Sequence, residues 1–240
     1  MKRLTALLVI SLLLFQPSIA MDKPNLHIVG EAWHQLTLSN GEGLYFELVR
    51  QAYQDEYQLK FETMPWHRAK RLVEQHKADV LVGDFAYSSP FLLYSTMPLD
   101  RDDEVIALFD KSKVRITDIK DLVGKKVGTL TNYGFEQFLP QDIELIDVSA
   151  KERVSTMLNK GRIHAYLTYA PRLPIVDPLD QFEHTVVIAP QTLHLAFPNT
   201  QKGNALKAYF DRQMTQMQQN GRLFELLGKK RFELIFNHQN

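Results

Sequence analysis

Apolar residues along the chain recur with two periods, one near two and one near 3.6. The order in which the periods alternate predicts the architecture. Residues 26–30 form a short β-prone run ended by glycine. Leu44, Leu48, Val49, Ala52 and Tyr53 then recur at helical spacing behind Gly43. Leu59, Phe61 and Thr63 alternate with charged residues as a strand would, and Pro65 opens a helix whose apolar face is Ala69, Leu72 and Val73. Residues 78–83 are nearly all apolar and read as a strand buried on both faces. Strand and helix in strict alternation imply parallel strands joined by crossover helices.

The pattern then begins again. Residues 105–109 read as a strand, and Ile116, Ile119 and Leu122 as one short helix. Residues 125–129 lead into a strand, 135–139 suggest a helix, and 143–148 alternate as a strand. Val154, Met157 and Leu158 make a helix face that stops at Gly161, ahead of a strand over 163–167. A last strand is predicted over 193–197. Leu206, Phe210, Met214 and Met217 mark a long helix stopped by Asn220-Gly221, and a short helix follows over 223–227. Two α/β units with no compositional break between them suggest two lobes sharing a hinge.

The first twenty residues stand apart from this pattern. Lys2 and Arg3 precede an apolar run over 4–15, interrupted only by Thr5 and Ser11. Gln16 and Pro17 end it, and Ser18-Ile19-Ala20 supplies the small residues of a cleavage site. The run is too short for a membrane span and fits a secretory signal cleaved after Ala20. Composition sharpens this. Cysteine is absent from the 240 residues, so the expected product is exported to the periplasm and is not a lipoprotein. The same absence excludes disulfides, thiolate metal sites and a cysteine nucleophile. The 28 basic and 28 acidic residues balance, which argues against a nucleic-acid partner. Loss of the signal would leave the product slightly acidic.

Chemistry-bearing motifs are scarce. There is no nucleophile elbow, phosphate loop or dinucleotide fingerprint. No histidine pair stands at metal-ligating spacing, so neither a metal nor a cofactor is expected. Lys125-Lys126 reads as a solvated basic turn. The informative feature is the position of the aromatics. Trp33, Trp66, Phe85 and Tyr87 follow the first three strands, and Tyr133 and Tyr169 follow two strands of the second unit. In open parallel sheets the ligand crevice lies at the carboxyl ends of strands, so these aromatics point to a shared cleft.

Eight segments, in order, resemble the extracellular solute-binding proteins of family 3, the bilobed receptors of ABC transporters. They include Gly43-Leu44-Tyr45-Phe46-Glu47-Leu48-Val49, Met64-Pro65-Trp66-His67-Arg68-Ala69 and Lys77-Ala78-Asp79-Val80-Leu81-Val82-Gly83. Ser95-Thr96-Met97-Pro98-Leu99, residues 119–128 with Asp121-Leu122-Val123-Gly124-Lys125, and Asn159-Lys160-Gly161-Arg162 continue the series. The run 193–197 and the helix ending at Asn220-Gly221 complete it. The resemblance implies a type II periplasmic-binding-protein fold in the α/β class, each lobe a mostly parallel sheet flanked by helices, with two crossover hinge strands. Lobe one would take residues 21–103 plus 195–240 and lobe two 104–194. A small molecule would be captured between them by a monomer, and an inner-membrane permease or receptor would be the partner.

The chain departs from that family at the ligand clamps. The resemblance calls for an arginine just after the third strand, yet residues 84–100 contain neither Arg nor Lys. It also calls for an aspartate after the strand over 163–167, where Thr168-Tyr169 stand. The expectation is therefore a receptor without the usual α-amino-acid clamp. Its candidate ligand-binding residues are Trp33, Trp66, Arg68, Asp84, Tyr87, Thr129, Tyr133 and Tyr169. Arg68 would be the cleft cation and Asp84 the cleft anion. Two alternatives have their own signatures. An enzyme resembling cyclohexadienyl dehydratases would use Glu31 and Asp84 as acid and base, and a sensor module would present its closed form to a membrane receptor.

Overall fold

The computed structural model describes residues 22–130, 133–150, 153–173 and 181–236. The signal segment and its cleavage point lie outside the described residues. β1 (Asn25–Gly30) lies between β2 (Gln58–Thr63) and β3 (Val80–Phe85), parallel to both. The two crossovers are α1 (Leu44–Tyr53) and α2 (Trp66–Glu74). Beyond β3 the sheet turns antiparallel. β4 (Leu92–Tyr94) and β5 (Asp100–Arg101) both pair with β11 (Thr192–Pro198), which itself lies against β3.

Period-two alternation distributes this sheet's side chains over two cores. Leu26, Ile28, Val80 and Val82 face α1 and the C-terminal helices, α4 (Gln201–Gln219) and α5 (Arg222–Phe236). Val29, Leu81 and Ala196 face Ala69 and Val73 of α2. Phe210 of α4 is fully buried, a burial that stabilises by about 1.5–3 kcal/mol. Tyr53, stacked on it, sinks a polar group that is satisfied, since its hydroxyl donates to the Leu206 carbonyl at 2.8 Å. Thr200 caps α4 by accepting from the Gly203 N–H at 3.0 Å. That close approach needs glycine, because a Cβ on Gly203 would sit 1.9 Å from the Pro198 carbonyl oxygen. The short helix predicted over 223–227 ends at a kink at Gly228, and helical backbone continues to Phe236.

The second sheet has the order β10-β6-β9-β7-β8. Here β6 is Val105–Asp110, β7 Lys126–Thr129, β8 Glu144–Asp147, β9 Ala165–Tyr169 and β10 Phe182–Ile188. β8, β7 and β9 are parallel, while β6 and β10 run antiparallel to their neighbours. Both sheets are thus mixed. Each has three parallel strands along one side, extended by the strands that carry the chain between the two units. The sequence reading omits β10, whose middle residues are exposed or half-buried and so lack an apolar signature. The helix expected over 135–139 is a 3-10 turn, Phe135–Phe138, and that over 116–122 shortens to Ile119–Leu122. A capping box holds the latter turn. Asp118 accepts from the Lys120 N–H, and Asp121 from the N–H groups of Thr117 and Asp118. The remaining regular helix here, α3 (Val154–Asn159), packs Val154 and Leu158 onto the Tyr166 face of β9.

Two segments join the sheets, residues 102–104 between β5 and β6 and 189–191 between β10 and β11. They run side by side, and the Asp102 N–H donates to the Gln191 carbonyl at 2.8 Å.

Candidate functional site

The parallel strands of both sheets deliver their carboxyl ends to one cavity of about 400 Å³, a volume suited to a small molecule. After β1, the chain turns through Glu31 to Trp33. Thr37 pins the turn by accepting from the Trp33 N–H at 3.0 Å and donating to the Glu31 carbonyl. After β2, the Met64 N–H donates to the Gly30 carbonyl at 2.9 Å, and Pro65 then sets Trp66 at the first position of α2. Glu31, Trp33, Tyr45, Trp66 and Phe85 line the cavity from this side. Tyr133, Gln137, Tyr169 and Arg172 line it from the second sheet, and Asp102 lies at the crossing.

Gly83 makes the floor. It is the extra residue of a β-bulge, where the β3–β11 register shifts between His194 and Leu195, and its φ is +79°. A Cβ there would stand 2.4 Å from Trp33 Cζ3, so the indole rests directly against the β3 backbone. Tyr45 meets Trp33 edge-on at 6.3 Å. Its hydroxyl donates to buried Asp100 at 2.5 Å, and the Arg231 guanidinium approaches the same carboxylate at 3.5 Å. Burial, then the Asp100 charge, raises the Tyr45 phenol well above the ordinary range.

On the opposite wall, Tyr133 and Tyr169 lie 5.4 Å apart and both contact Phe135. The Arg172 guanidinium lies 5.8 Å and 5.4 Å from the Tyr133 and Tyr169 ring centres. Burial pushes the Asp102 carboxyl up to about 6, although the Tyr169 hydroxyl, the Asp103 N–H and the charge of Arg172 oppose the rise. Near the hinge the two walls touch, where Phe85 and Phe138 meet edge-to-face at 4.9 Å.

Four of the eight sequence-predicted residues therefore line this cavity: Trp33, Trp66, Tyr133 and Tyr169. The other four lie elsewhere. Arg68 is exposed on α2, because two residues beyond Trp66 is more than half a helical turn away. Tyr87 is 91% exposed in the turn after β3, at a φ of +63°. Thr129 is buried within the second sheet, paired with Asp147 and Leu167. Asp84 is fully buried and faces α2, since the bulge at Gly83 resets the strand's alternation. Lys70 Nζ approaches its carboxylate at 3.2 Å, and the hydroxyls of Ser88 and Tyr94 donate to it at 2.8 Å and 3.2 Å. Burial raises the Asp84 pKa, and the Lys70 charge and the Ser88 hydroxyl oppose the rise. The same Lys70 ammonium lies 4.7 Å from the Trp66 ring centre, so Asp84 supports the cavity wall from behind. Glu31 and Asp84 are accordingly not assembled as an acid–base pair.

The sequence reading missed Arg172, Asp102, Tyr45 and Gln137. Arg172 had a usable signal, because it follows β9 by three residues with only Ala170-Pro171 between it and Tyr169. Among the described residues, no cluster of three or more His, Asp or Glu forms a metal site, and no helix is long and apolar enough to cross a membrane.

No protein-family model and no curated sequence matches the chain. Solved structures do. An ancestral arginine-binding protein bound to arginine superposes with a TM-score of 0.60 at 16% identity, covering 90% of this chain and 100% of its own. The GluR0 ligand-binding core from Nostoc punctiforme, in complex with L-glutamate, gives 0.59 at 17%, covering 88% and 99%. The amino acid ABC transporter substrate-binding protein AbpA from Streptococcus pneumoniae, bound to L-arginine, gives 0.54 at 18%, covering 84% and 92%. The chain has the two-lobed substrate-binding-protein fold. The cavity lies between the two sheets, and the antiparallel segments 102–104 and 189–191 carry the chain from one sheet to the other and back.

Proposed function

We propose that the chain is a solute-binding protein that captures a small molecule between two closing lobes and hands it to an ABC-type transporter. The observation that carries this reading is a cavity walled by both sheets, with two adjacent chain crossings behind it. Such crossings can absorb a hinge rotation, and a ligand gripped by both walls favours the closed state. The similar structures bound to arginine and glutamate support a small polar ligand.

On this reading lobe one is 21–103 plus 192–240 and lobe two 104–191, because β11 pairs with β3 and β5 from Thr192 onward, three residues ahead of the boundary at 195 expected from the sequence. Trp33, Trp66, Tyr133 and Tyr169 supply ligand-facing aromatic surface, and the cavity's guanidinium is Arg172, held over Tyr133 and Tyr169, rather than Arg68. The protein binds its solute and does not transform it. It works as a periplasmic monomer, exported by residues 1–20, and its partner is an inner-membrane permease or receptor.

A thermal-shift screen of small solutes, followed by small-angle scattering, tests this. A ligand at 100 times its Kd adds about 2.7 kcal/mol to stability, and the radius of gyration falls on closure. A screen without a stabilising solute, a ligand that leaves the scattering unchanged, or chemical conversion of the solute would each refute the reading.

A further inference from the structure

The charges around the cavity are unequal. Two carboxylates, Glu31 and Asp102, line it against one guanidinium, Arg172. That guanidinium is already engaged, lying over Tyr133 and Tyr169 and within the field of Asp102. Glu31 stands on the opposite wall from Arg172. Its backbone carbonyl is held by Thr37, while its carboxylate has no ion-pair partner among the described residues. Trp33, Tyr45, Trp66 and Phe85 line the cavity from the same side. Aromatic faces attract cations through the ring quadrupole, most strongly where water is displaced. A ligand carboxylate entering the same space would meet two like charges and find its one counter-charge lying over Tyr133 and Tyr169.

We infer that the cleft takes an organic monocation, an amine or quaternary ammonium carried on an apolar or aromatic body without a carboxylate, with Glu31 as its counter-ion. This rests on the solute-binding reading above and narrows it. It also gives the missing α-carboxylate clamp a positive meaning, because the ligand has no carboxylate to clamp.

Four probes of similar size decide the matter by calorimetric titration of the full mature protein: tyramine, benzyltrimethylammonium, phenylacetate and L-phenylalanine. At least one of the two cations is expected to bind more tightly than both carboxylate-bearing probes. Glu31→Gln, which keeps shape and removes charge, is expected to weaken tyramine, whose ammonium can donate to the carboxylate, by roughly 10- to 100-fold, the range for a charge-assisted hydrogen bond, and benzyltrimethylammonium, which has no N–H, severalfold through the lost charge. Arg172→Gln is expected to tighten the better cation severalfold by removing a like charge. Both variants are partly exposed positions, and unchanged ligand-free melting temperatures would show that each has folded. The inference fails if phenylacetate or L-phenylalanine binds as tightly as the better cation, or if neither cation binds. It also fails if Glu31→Gln leaves affinity unchanged or Arg172→Gln abolishes it. Failure here with lobe closure on a different solute would leave the solute-binding reading standing. Absence of any closing ligand would remove both.

Discussion

Lys70→Met is the most informative single perturbation of the cavity wall. The Asp84 carboxylate has no solvent exposure and the Lys70 side chain only 13%, so their 3.2 Å contact is an interior ion pair. Removing the ammonium leaves the carboxylate with the hydroxyls of Ser88 and Tyr94, which do not neutralise it. Breaking a buried pair from one side costs about 3–5 kcal/mol. Part of that loss is escaped by protonating Asp84, whose pKa burial already raises. The penalty should therefore shrink on acidification, by at most about 1.4 kcal/mol per pH unit. Trp33 and Trp66 are the two tryptophans of the chain and both flank the first sheet, so their fluorescence reports that lobe even if the lobes unfold separately. Urea titrations at pH 8 and pH 5 give the two stabilities, and Lys70→Met combined with Asp84→Asn should recover most of the loss. A penalty below about 1 kcal/mol at pH 8, or one that does not change with pH, would refute the account of Asp84 as a buried, ionised brace.

Three further outcomes are expected. Gly83→Ala adds a Cβ 2.4 Å from the Trp33 ring at a φ of +79°; it should cost about 1–3 kcal/mol, shift tryptophan emission and weaken ligand binding, read by fluorescence and titration. Gly203→Ala drives a Cβ to 1.9 Å from the Pro198 oxygen, far from the cavity; thermal unfolding should show a loss of about 1–3 kcal/mol with ligand affinity unchanged. Asp102 has a folded pKa of about 6, above its ordinary 3.8, so its stabilising contribution is complete below pH 3.8 and is lost as pH rises through 6. Up to about 3 kcal/mol is at stake, and Asp102→Asn should flatten the fall in melting temperature between pH 4 and pH 7.

Strands with one clear apolar rhythm, such as β1, β3 and β11, were readable because their side chains divide between two cores. β10 was not, since its solvent-facing middle carries little apolar content. The cavity was partly readable for a topological reason, because residues after parallel strands gather at one end. Trp33, Trp66, Tyr133 and Tyr169 obey that rule. Asp84 follows β3 as well, yet a bulge defined by pairing with β11, more than a hundred residues away, turns it to the other face. Tyr87 escapes the rule because its left-handed backbone carries the ring out to solvent. Arg172 becomes part of the site only through the 3-10 turn Ala170–Arg172 that lays it back over Tyr133 and Tyr169.

The pairing of β5 with β11 has an evolutionary consequence. Arg101 is in register with Thr192, and Asp100 with Leu193, so the chain leaves the first sheet and returns to it at neighbouring points. Everything between is topologically an insert whose two ends already meet. A tight turn grafted from Arg101 to Thr192 would restore an ordinary hairpin and leave the first sheet's strand order intact. The segment between the crossings is thus a unit that could be exchanged with both of its ends left in place. One half of the cavity wall would change, and the first lobe's cores would stay as they are.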